Sequence, residues 1–303
     1  MKPSGILFLM NTVVILGSTG MIGSGVTRYL SNLPFQVIEV NRNAISTYTG
    51  NDSRRFDVTR DVLSTFIQEI PPGSVILNFV GVIRHKISED VEESVANVFK
   101  INRDFPRELV DVAEAHHCRV IQIATDCVFS GKEGSYSETS VKDPIDLYGL
   151  SKLQGEMSAS NLMTLRVSVI GKERTGHIEL MDWVLGKNNQ EKVNGYTNHY
   201  WNGITTLHLA KIICGILETN SFQAGLFHVV PEGQKSKFEL ISLIADKGGR
   251  SDLEIQEFAD LTQIDRTLKT QFPEFNSIIW SAAGFSAIPT IDLMLDDYFE
   301  WNS

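Results

Sequence analysis

The sequence predicts an α/β protein built on a doubly wound parallel sheet, with a smaller, mixed C-terminal lobe. Three observations carry that expectation. Short apolar runs of strand type, Thr12–Leu16, Ser74–Val82, Val120–Ala124 and Leu162–Ile170, alternate with stretches of helical spacing, as in a sheet covered by helices on both faces. The first run leads directly into Gly17-Ser18-Thr19-Gly20-Met21-Ile22-Gly23 and then into helical spacing over Val26–Leu30. The run Val120–Ala124 delivers Thr125 and Asp126 at its carboxyl end, the edge where open parallel sheets gather their ligands.

The glycine turn makes a physical demand. A tight strand-to-helix turn brings backbone close to a bound pyrophosphate, and the free N–H groups and dipole of the following helix favour negative charge there. The second strand, Phe35–Val40, ends in Asn41-Arg42 rather than in an acidic residue. A carboxylate there would take the ribose hydroxyls of NAD, whereas an arginine pairs with the 2′-phosphate of NADP. NADPH is therefore the expected cofactor, with NADH as the alternative and Arg54 or Arg55 as other candidates for the phosphate contact. A third short strand is expected where Phe56-Asp57-Val58 passes beside the adenine. The fourth strand contains Asn78, which reads equally as a strand-end cap, and Gly81, where backbone can approach a ligand. The pattern from Glu92 to Ala115 is amphipathic and contains Asn102 and Pro106; the proline predicts a turn or kink near the start of a helix.

Tyr148 and Lys152 stand four apart in Tyr-Gly-Leu-Ser-Lys, a spacing that puts a phenol and an ammonium on one helix face. Together with a hydroxyl at a strand end, these are the groups needed to move a hydride to or from a carbonyl. Reducing a ketone requires a proton at its oxygen. A free phenol has a pKa of about 10 and is poorly matched to that task at neutral pH, and an adjacent ammonium is expected to lower it. Thr125 would hold the carbonyl oxygen as charge develops on it.

Composition excludes several classes. The chain has 303 residues, 42% hydrophobic and 21% charged, enough for a sizeable core. Its net charge of −10 leaves no basic stripe for a phosphate backbone, so nucleic acid is not an expected partner. Cys118, Cys127 and Cys214 are sparse and lack paired spacing, which argues for a reducing, cytoplasmic setting and against a disulfide framework or zinc site. His116-His117-Cys118 is read as a helix C-terminus, and no metal is expected. No stretch reaches membrane-spanning length. Met1–Met10 reads as an N-terminal extension, too short in its apolar part for a signal peptide.

Beyond Gly171 the pattern loosens into a polar stretch rich in Tyr and Trp around one apolar helix at Ile178–Leu185, suited to a substrate-facing lobe. Helix spacing returns at Leu207–Leu217 and a strand at Leu226–Val230. Ser236 and Glu239 then open a further helix with a capping box. The expected organisation is a dinucleotide-binding domain over 10–170, rejoined by segments near 204–230, and a lobe drawn mainly from 171–303.

Gly-Ser-Thr-Gly-Met-Ile-Gly, Asn78 with Gly81, Ile-Ala-Thr-Asp-Cys-Val-Phe-Ser-Gly, Tyr-Gly-Leu-Ser-Lys-Leu-Gln-Gly-Glu and Leu-Arg-Val-Ser-Val-Ile-Gly occur in that order. This series resembles the extended short-chain dehydrogenase/reductases, which have a Rossmann fold, and within them the dTDP-4-dehydrorhamnose reductase group. The resemblance implies a triad of Thr125, Tyr148 and Lys152, with Lys152 also reaching the nicotinamide ribose. It implies cofactor contacts from Gly17, Ser18, Thr19, Gly20, Met21, Ile22, Asn41, Arg42, Asp57, Val58, Asn78, Phe79, Val80, Gly81, Asn102, Tyr148 and Lys152. Asn102 also reads as a brace behind the catalytic helix. The substrate side is expected to involve Arg84, Asp126, Cys127, Val128, Phe129, Val169 and Arg266, with Arg84, Lys237 and Arg266 as candidates for a diphosphate.

The chain departs from that group at Cys127, where an aromatic is usual, and at Val169, where a Trp is usual; both changes shrink the wall that would touch a hexose. The implied activity is NADPH-dependent reduction of the 4-keto group of a nucleotide-linked deoxysugar, in nucleotide-sugar and surface polysaccharide biosynthesis, by a protein for which the resemblance suggests a homodimer. The alternatives are an NAD-retaining epimerase or dehydratase, and a non-catalytic regulatory subunit like the methionine adenosyltransferase partner. Dehydratases usually carry Asp-Glu after the catalytic Thr, whereas here Asp126 is followed by Cys127.

Overall fold

The structure is a computed structural model that describes residues 12–303; the stretch read above as an N-terminal extension lies outside the described residues. The central sheet has seven strands, all parallel. In chain order they are β1 (Thr12–Leu16), β2 (Gln36–Asn41), β3 (Asp52–Arg55), β4 (Val75–Asn78), β5 (Arg119–Ala124), β6 (Leu162–Arg166) and a last strand, Gly225–His228. Across the sheet the order is last strand, β6, β5, β4, β1, β2, β3. The order reverses between β1 and β4, which pair from Val13↔Val75 to Leu16↔Asn78, and the ends of these two strands open the crevice where such sheets bind ligands.

Both faces of the sheet are covered, and the strand sequences show it. In β1, Val13 and Ile15 enter one core with Val26 and Leu30, while Val14 and Leu16 enter the opposite core with Phe105 and Leu109. Alternation of side chains at a period of two, with water excluded on both sides, requires the nearly continuous apolar run that the sequence has. The helices are α1 (Met21–Leu30), α2 (Leu63–Phe66), α3 (Glu92–Phe99), α4 (Phe105–Ala115), α5 (Leu147–Gln154), α6 (Leu180–Leu185), α7 (Thr206–Glu218), α8 (Lys237–Lys247), α9 (Pro273–Ala282) and α10 (Ile291–Trp301). Helix α7 packs on α1, and the last strand pairs with β6 from Gly225↔Met163 to His228↔Arg166. Smaller strand pairs, including Lys192–Tyr196 with Glu254–Phe258, lie outside the main sheet.

One local reading is corrected by the structure. The third strand is Asp52–Arg55, one step before the expected Phe56-Asp57-Val58, because pairing to β2 runs from Ile38↔Asp52 to Asn41↔Arg55. As an edge strand it is charged, with Arg54 paired to Asp52 at 2.8 Å and Arg55 to Asp61 at 2.9 Å; such charges suit an edge that must not recruit another strand. The helix start expected near Pro106 is present, with α4 beginning at Phe105 and the proline in its first turn. A π-helical turn at Lys100–Asp104 joins α3 to α4, and a proline, with no N–H to donate, is tolerated in a first helical turn.

Behind the sheet edge lies a buried polar network. Arg166 is fully buried and donates to Glu156 through Nε at 3.0 Å and Nη2 at 2.5 Å. Its Nη1 lies 2.8 Å from Nε2 of His228, whose backbone N–H donates to Glu138 at 2.9 Å. Glu156 follows α5, so this network holds the trailing end of that helix against β6. Replacing Arg166 by Ala should lower unfolding free energy by about 3–5 kcal/mol, because a carboxylate would be left in the interior unpaired. The combined change Arg166→Met and Glu156→Leu should cost less in a urea titration; an equal or larger loss would show that the pairing is not what stabilises this edge.

Candidate active site

Two connected cavities lie along the carboxyl edge of the sheet. The larger, of about 820 Å³, runs past the glycine turn and the ends of β2 and β3; the smaller, of about 290 Å³, lies over the ends of β4 and β5 and the start of α5. They share one wall, formed by Met21, Ile22, Phe79–Ile83 and Glu179.

The glycines do distinct jobs. Gly17 has φ of +79°, and a Cβ there would lie 3.1 Å from Phe79 C and Val80 N, so the turn after β1 must pass close to the loop after β4. At Gly23 a Cβ would lie 2.1 Å from the Gly17 carbonyl oxygen, which requires glycine for α1 to dock on its own turn. Gly20 begins α1, whose first turn contains no acidic residue. The groove thus presents free N–H groups and a positive dipole end to a cavity lined by Gly17, Thr19, Gly20, Asn41, Arg42, Asp57 and Val58. Its backbone approach, its volume and its uncompensated helix terminus fit a dinucleotide pyrophosphate.

Several side chains expected at the cofactor hold the groove's shape through hydrogen bonds within the protein. Ser18 is fully buried and accepts from Asn41 Nδ2 at 3.1 Å. Asn41 Oδ1 accepts from the backbone of Asn43 and Ile45 at 3.2 and 3.0 Å, an arrangement that shapes the loop carrying Arg42. Farther along that loop, buried Glu39 accepts from the backbone and hydroxyl of Thr47. Asn78 Nδ2 donates to Gln122 Oε1 at 2.7 Å, and its Oδ1 accepts from Val80 N at 3.1 Å. Asn102 lines neither cavity. Its amide exchanges two 2.9 Å hydrogen bonds with the backbone of Val82 and donates to Ser151 Oγ at 3.0 Å. It is therefore a brace joining the cofactor wall to α5, and not a cofactor contact.

Thr125, Tyr148 and Lys152 line the smaller cavity together. Asp146 begins α5, accepting from Gly149 N at 2.8 Å, and lies 3.6 Å from Arg84. Gly149 is needed because a Cβ there would lie 2.2 Å from the Cys127 carbonyl oxygen; this contact brings the Tyr148 turn against the residues after Thr125. Lys152 Nζ donates to the Ile123 carbonyl at 3.1 Å. Burial lowers the Lys152 pKa to about 8. Burial also raises Tyr148 well above the ordinary phenol range, reinforced by Cys127, while a hydrogen bond with Thr125 works the other way. The expectation that the ammonium would lower the phenol is therefore corrected: loss of water sets the direction of the shift, and the phenol stays protonated.

On the substrate side, Arg84, Asp126, Cys127, Val169 and Arg266 line the smaller cavity. Arg266 Nε donates to the Phe129 carbonyl at 3.0 Å, and its Nη1 lies 3.7 Å from Cys127 Sγ. Burial raises Asp126, with Arg266 and Lys237 opposing, and pushes the Cys127 thiol up to about 12, so Cys127 is a wall residue and no nucleophile. Lys237 lines neither cavity. Val128 and Phe129 do not face the cleft. The short turn at Asp126–Val128 directs them inward, where both are fully buried and Phe129 stacks on Tyr136 with ring centroids 4.3 Å apart.

Asp146, Gly149, Ser151 and Glu179 went unread in the sequence. Asp146, two residues before Tyr148, carries a helix-start signal; the other three have roles set only by what packs against them. Among the described residues no His, Cys, Asp and Glu cluster could hold a metal, and no helix is long and apolar enough to cross a membrane.

A glycine-turn groove that opens onto a Thr-Tyr-Lys wall, on a doubly wound parallel sheet, defines the class of the extended short-chain dehydrogenase/reductases. More narrowly, residues 10–276 match the RmlD substrate binding domain family, and the chain belongs to it. A dTDP-4-dehydrorhamnose reductase of Aggregatibacter actinomycetemcomitans is 27% identical over 150 residues, 48% of this chain and 46% of that protein, so the match spans less than half the relative's length. Methionine adenosyltransferase 2 subunit beta of Danio rerio is 26% identical over 245 residues, 77% of this chain and 73% of that one. Among solved structures, dTDP-4-dehydrorhamnose reductase of Bacillus anthracis in complex with NADP has the same fold: TM-score 0.75, 18% identity, 97% of this chain and 100% of that one covered.

Gly149→Ala tests how the site is assembled. The added methyl group must displace α5 from the Cys127 carbonyl, an overpacking that costs about 1–3 kcal/mol. Thermal unfolding should register that loss while circular dichroism keeps its α/β shape; a variant as stable as the parent would mean that α5 is not pressed against this turn.

Proposed function

We propose that the protein is an NADPH-dependent reductase of the 4-keto group of a nucleotide-linked deoxysugar, acting in nucleotide-sugar biosynthesis. The observation that carries this reading is the meeting of Thr125, Tyr148 and Lys152 on one wall of a cleft that continues into the glycine-turn groove. Family membership and the dTDP-4-dehydrorhamnose reductase relative support the substrate class.

When bound, the reduced nicotinamide supplies the hydride. The chain's own groups supply the rest. Tyr148 Oη holds a proton at neutral pH, as an acid facing a carbonyl oxygen must. Thr125 Oγ1, at the end of β5, donates to Asp126 Oδ1 at 3.2 Å and would turn to that oxygen as negative charge develops on it. Lys152, tied by Nζ to the Ile123 carbonyl, puts a positive charge beside the same wall. Arg42 projects into the groove at the end of β2, where a 2′-phosphate would lie, while Arg54 and Arg55 are engaged with Asp52 and Asp61. Arg84 and Arg266 line the substrate cleft and suit a diphosphate.

The second reading, a regulatory subunit, is favoured by the longer match to methionine adenosyltransferase 2 subunit beta. The two readings separate on turnover. Purified protein titrated with NADPH and then offered a panel of 4-keto-6-deoxy sugar nucleotides should lose the absorbance of reduced nicotinamide with one member of the panel. Cofactor binding without turnover across the panel, together with stable capture of a methionine adenosyltransferase, favours the regulatory role.

Tyr148→Phe should retain NADPH binding and lower kcat by roughly 10²–10⁴-fold, the usual size of a general-acid contribution; unchanged turnover removes Tyr148 as the acid. Arg42→Ala should weaken NADPH by about 10- to 100-fold, as for loss of a charged hydrogen bond, and leave NADH nearly unaffected. Equal weakening of both cofactors would detach Arg42 from the 2′-phosphate.

A further inference from the structure

Glu179 has no part in the chemistry described above, yet its position is singular. Eight residues line both cavities, Met21, Ile22, Phe79, Val80, Gly81, Val82, Ile83 and Glu179, and Glu179 is the one charged side chain among them. A dinucleotide whose pyrophosphate lies at the glycine turn and whose reactive ring faces Tyr148 must cross from one cavity to the other at this shared wall.

The local structure holds Glu179 there. Its backbone N–H donates to Glu173 Oε2 at 2.9 Å, and that of Ile178 donates to the same oxygen at 2.6 Å. Glu179 stands at the start of α6, but its side chain does not cap the helix, which leaves the carboxylate to face the cleft. Its charge reaches across to Tyr148, where it helps keep the phenol protonated. Burial and the Glu173 carboxylate raise its own pKa, and His85 and Lys86 oppose them.

Oxidised and reduced nicotinamide differ in charge: the oxidised ring is a cation, the reduced ring is neutral. A half-buried carboxylate at the crossing point interacts more strongly with the cation, in a site where solvent screening is reduced. We infer that Glu179 sets the redox preference of cofactor binding, holding the oxidised dinucleotide more tightly than the reduced one and making its release late. This rests on the reading of the groove as a nicotinamide dinucleotide site.

The test is the ratio of dissociation constants for NADPH and NADP⁺, measured by calorimetry on the full chain without substrate. Wild type should favour NADP⁺, and Glu179→Gln should lower that preference by about 10-fold, the effect of one unit charge acting through a partly screened medium. Glu179→Asp, which keeps the charge, should stay within about threefold of wild type. If the Gln variant fails to fold, Glu179→Ser serves as the neutral form. An unchanged ratio in the neutral variant overturns the role of Glu179 while leaving the groove assignment intact. Failure of wild type to bind either form overturns both.

Discussion

The amide of Asn102 is the constraint on which the site depends. It closes a pair of hydrogen bonds with the backbone of Val82 and reaches Ser151 on the far side. Two segments far apart in sequence, the loop after β4 and the helix bearing Tyr148 and Lys152, are thereby kept at a fixed spacing. The residue is buried, so leaving any of these groups unpaired would cost about 1–3 kcal/mol. The π turn in which Asn102 sits, with Pro106 just beyond it, sets how far the amide projects. Gly155 packs on the carbonyl of the same residue, where a Cβ would lie 2.1 Å away. Side chain and backbone of one residue thus both meet α5 or the residue that ends it.

Charge follows from this packing. The chain is acidic overall, at −10, yet the groove that would take an anionic dinucleotide begins at a helix N-terminus free of acidic residues and has Arg42 at its far end. Local field, and not net charge, decides what binds there. In the smaller cleft, burial dominates: it keeps the Tyr148 phenol protonated and loosens the proton on Lys152. A phenol in that state is prepared to give a proton, which is the direction a carbonyl reduction needs. Glu179 adds a carboxylate at the junction of the two cavities, where it bears on the phenol.

Much of this was legible in the sequence because it rests on local chemistry. The apolar runs of β1, β4 and β5 announce strands covered on both faces, and the glycine turn after β1 announces a close backbone approach. The four-residue interval from Tyr148 to Lys152 puts both on one helical face. The errors arose where direction depends on packing. Val128 and Phe129 belong to a promising motif but point inward, because the short helical turn after Thr125 carries both into the interior. Ser18 and Asn102 carry the right chemistry for a ligand, but Ser18 is engaged with Asn41 and Asn102 with Val82 and Ser151.

The sequence by itself determined the order of strands and helices, the glycine turn and the residue types of the triad, since these follow from periodicity, from the absence of a side chain and from helical spacing. Tertiary structure decided which polar groups face the cleft and which are consumed in support. It also decided the protonation of Tyr148, because desolvation depends on everything packed around the phenol, and it brought Glu179 to the junction of the two cavities from a stretch with no motif to mark it. That last placement comes from Glu173 gathering the backbone ahead of α6, a contact between side chain and main chain that only the folded chain contains.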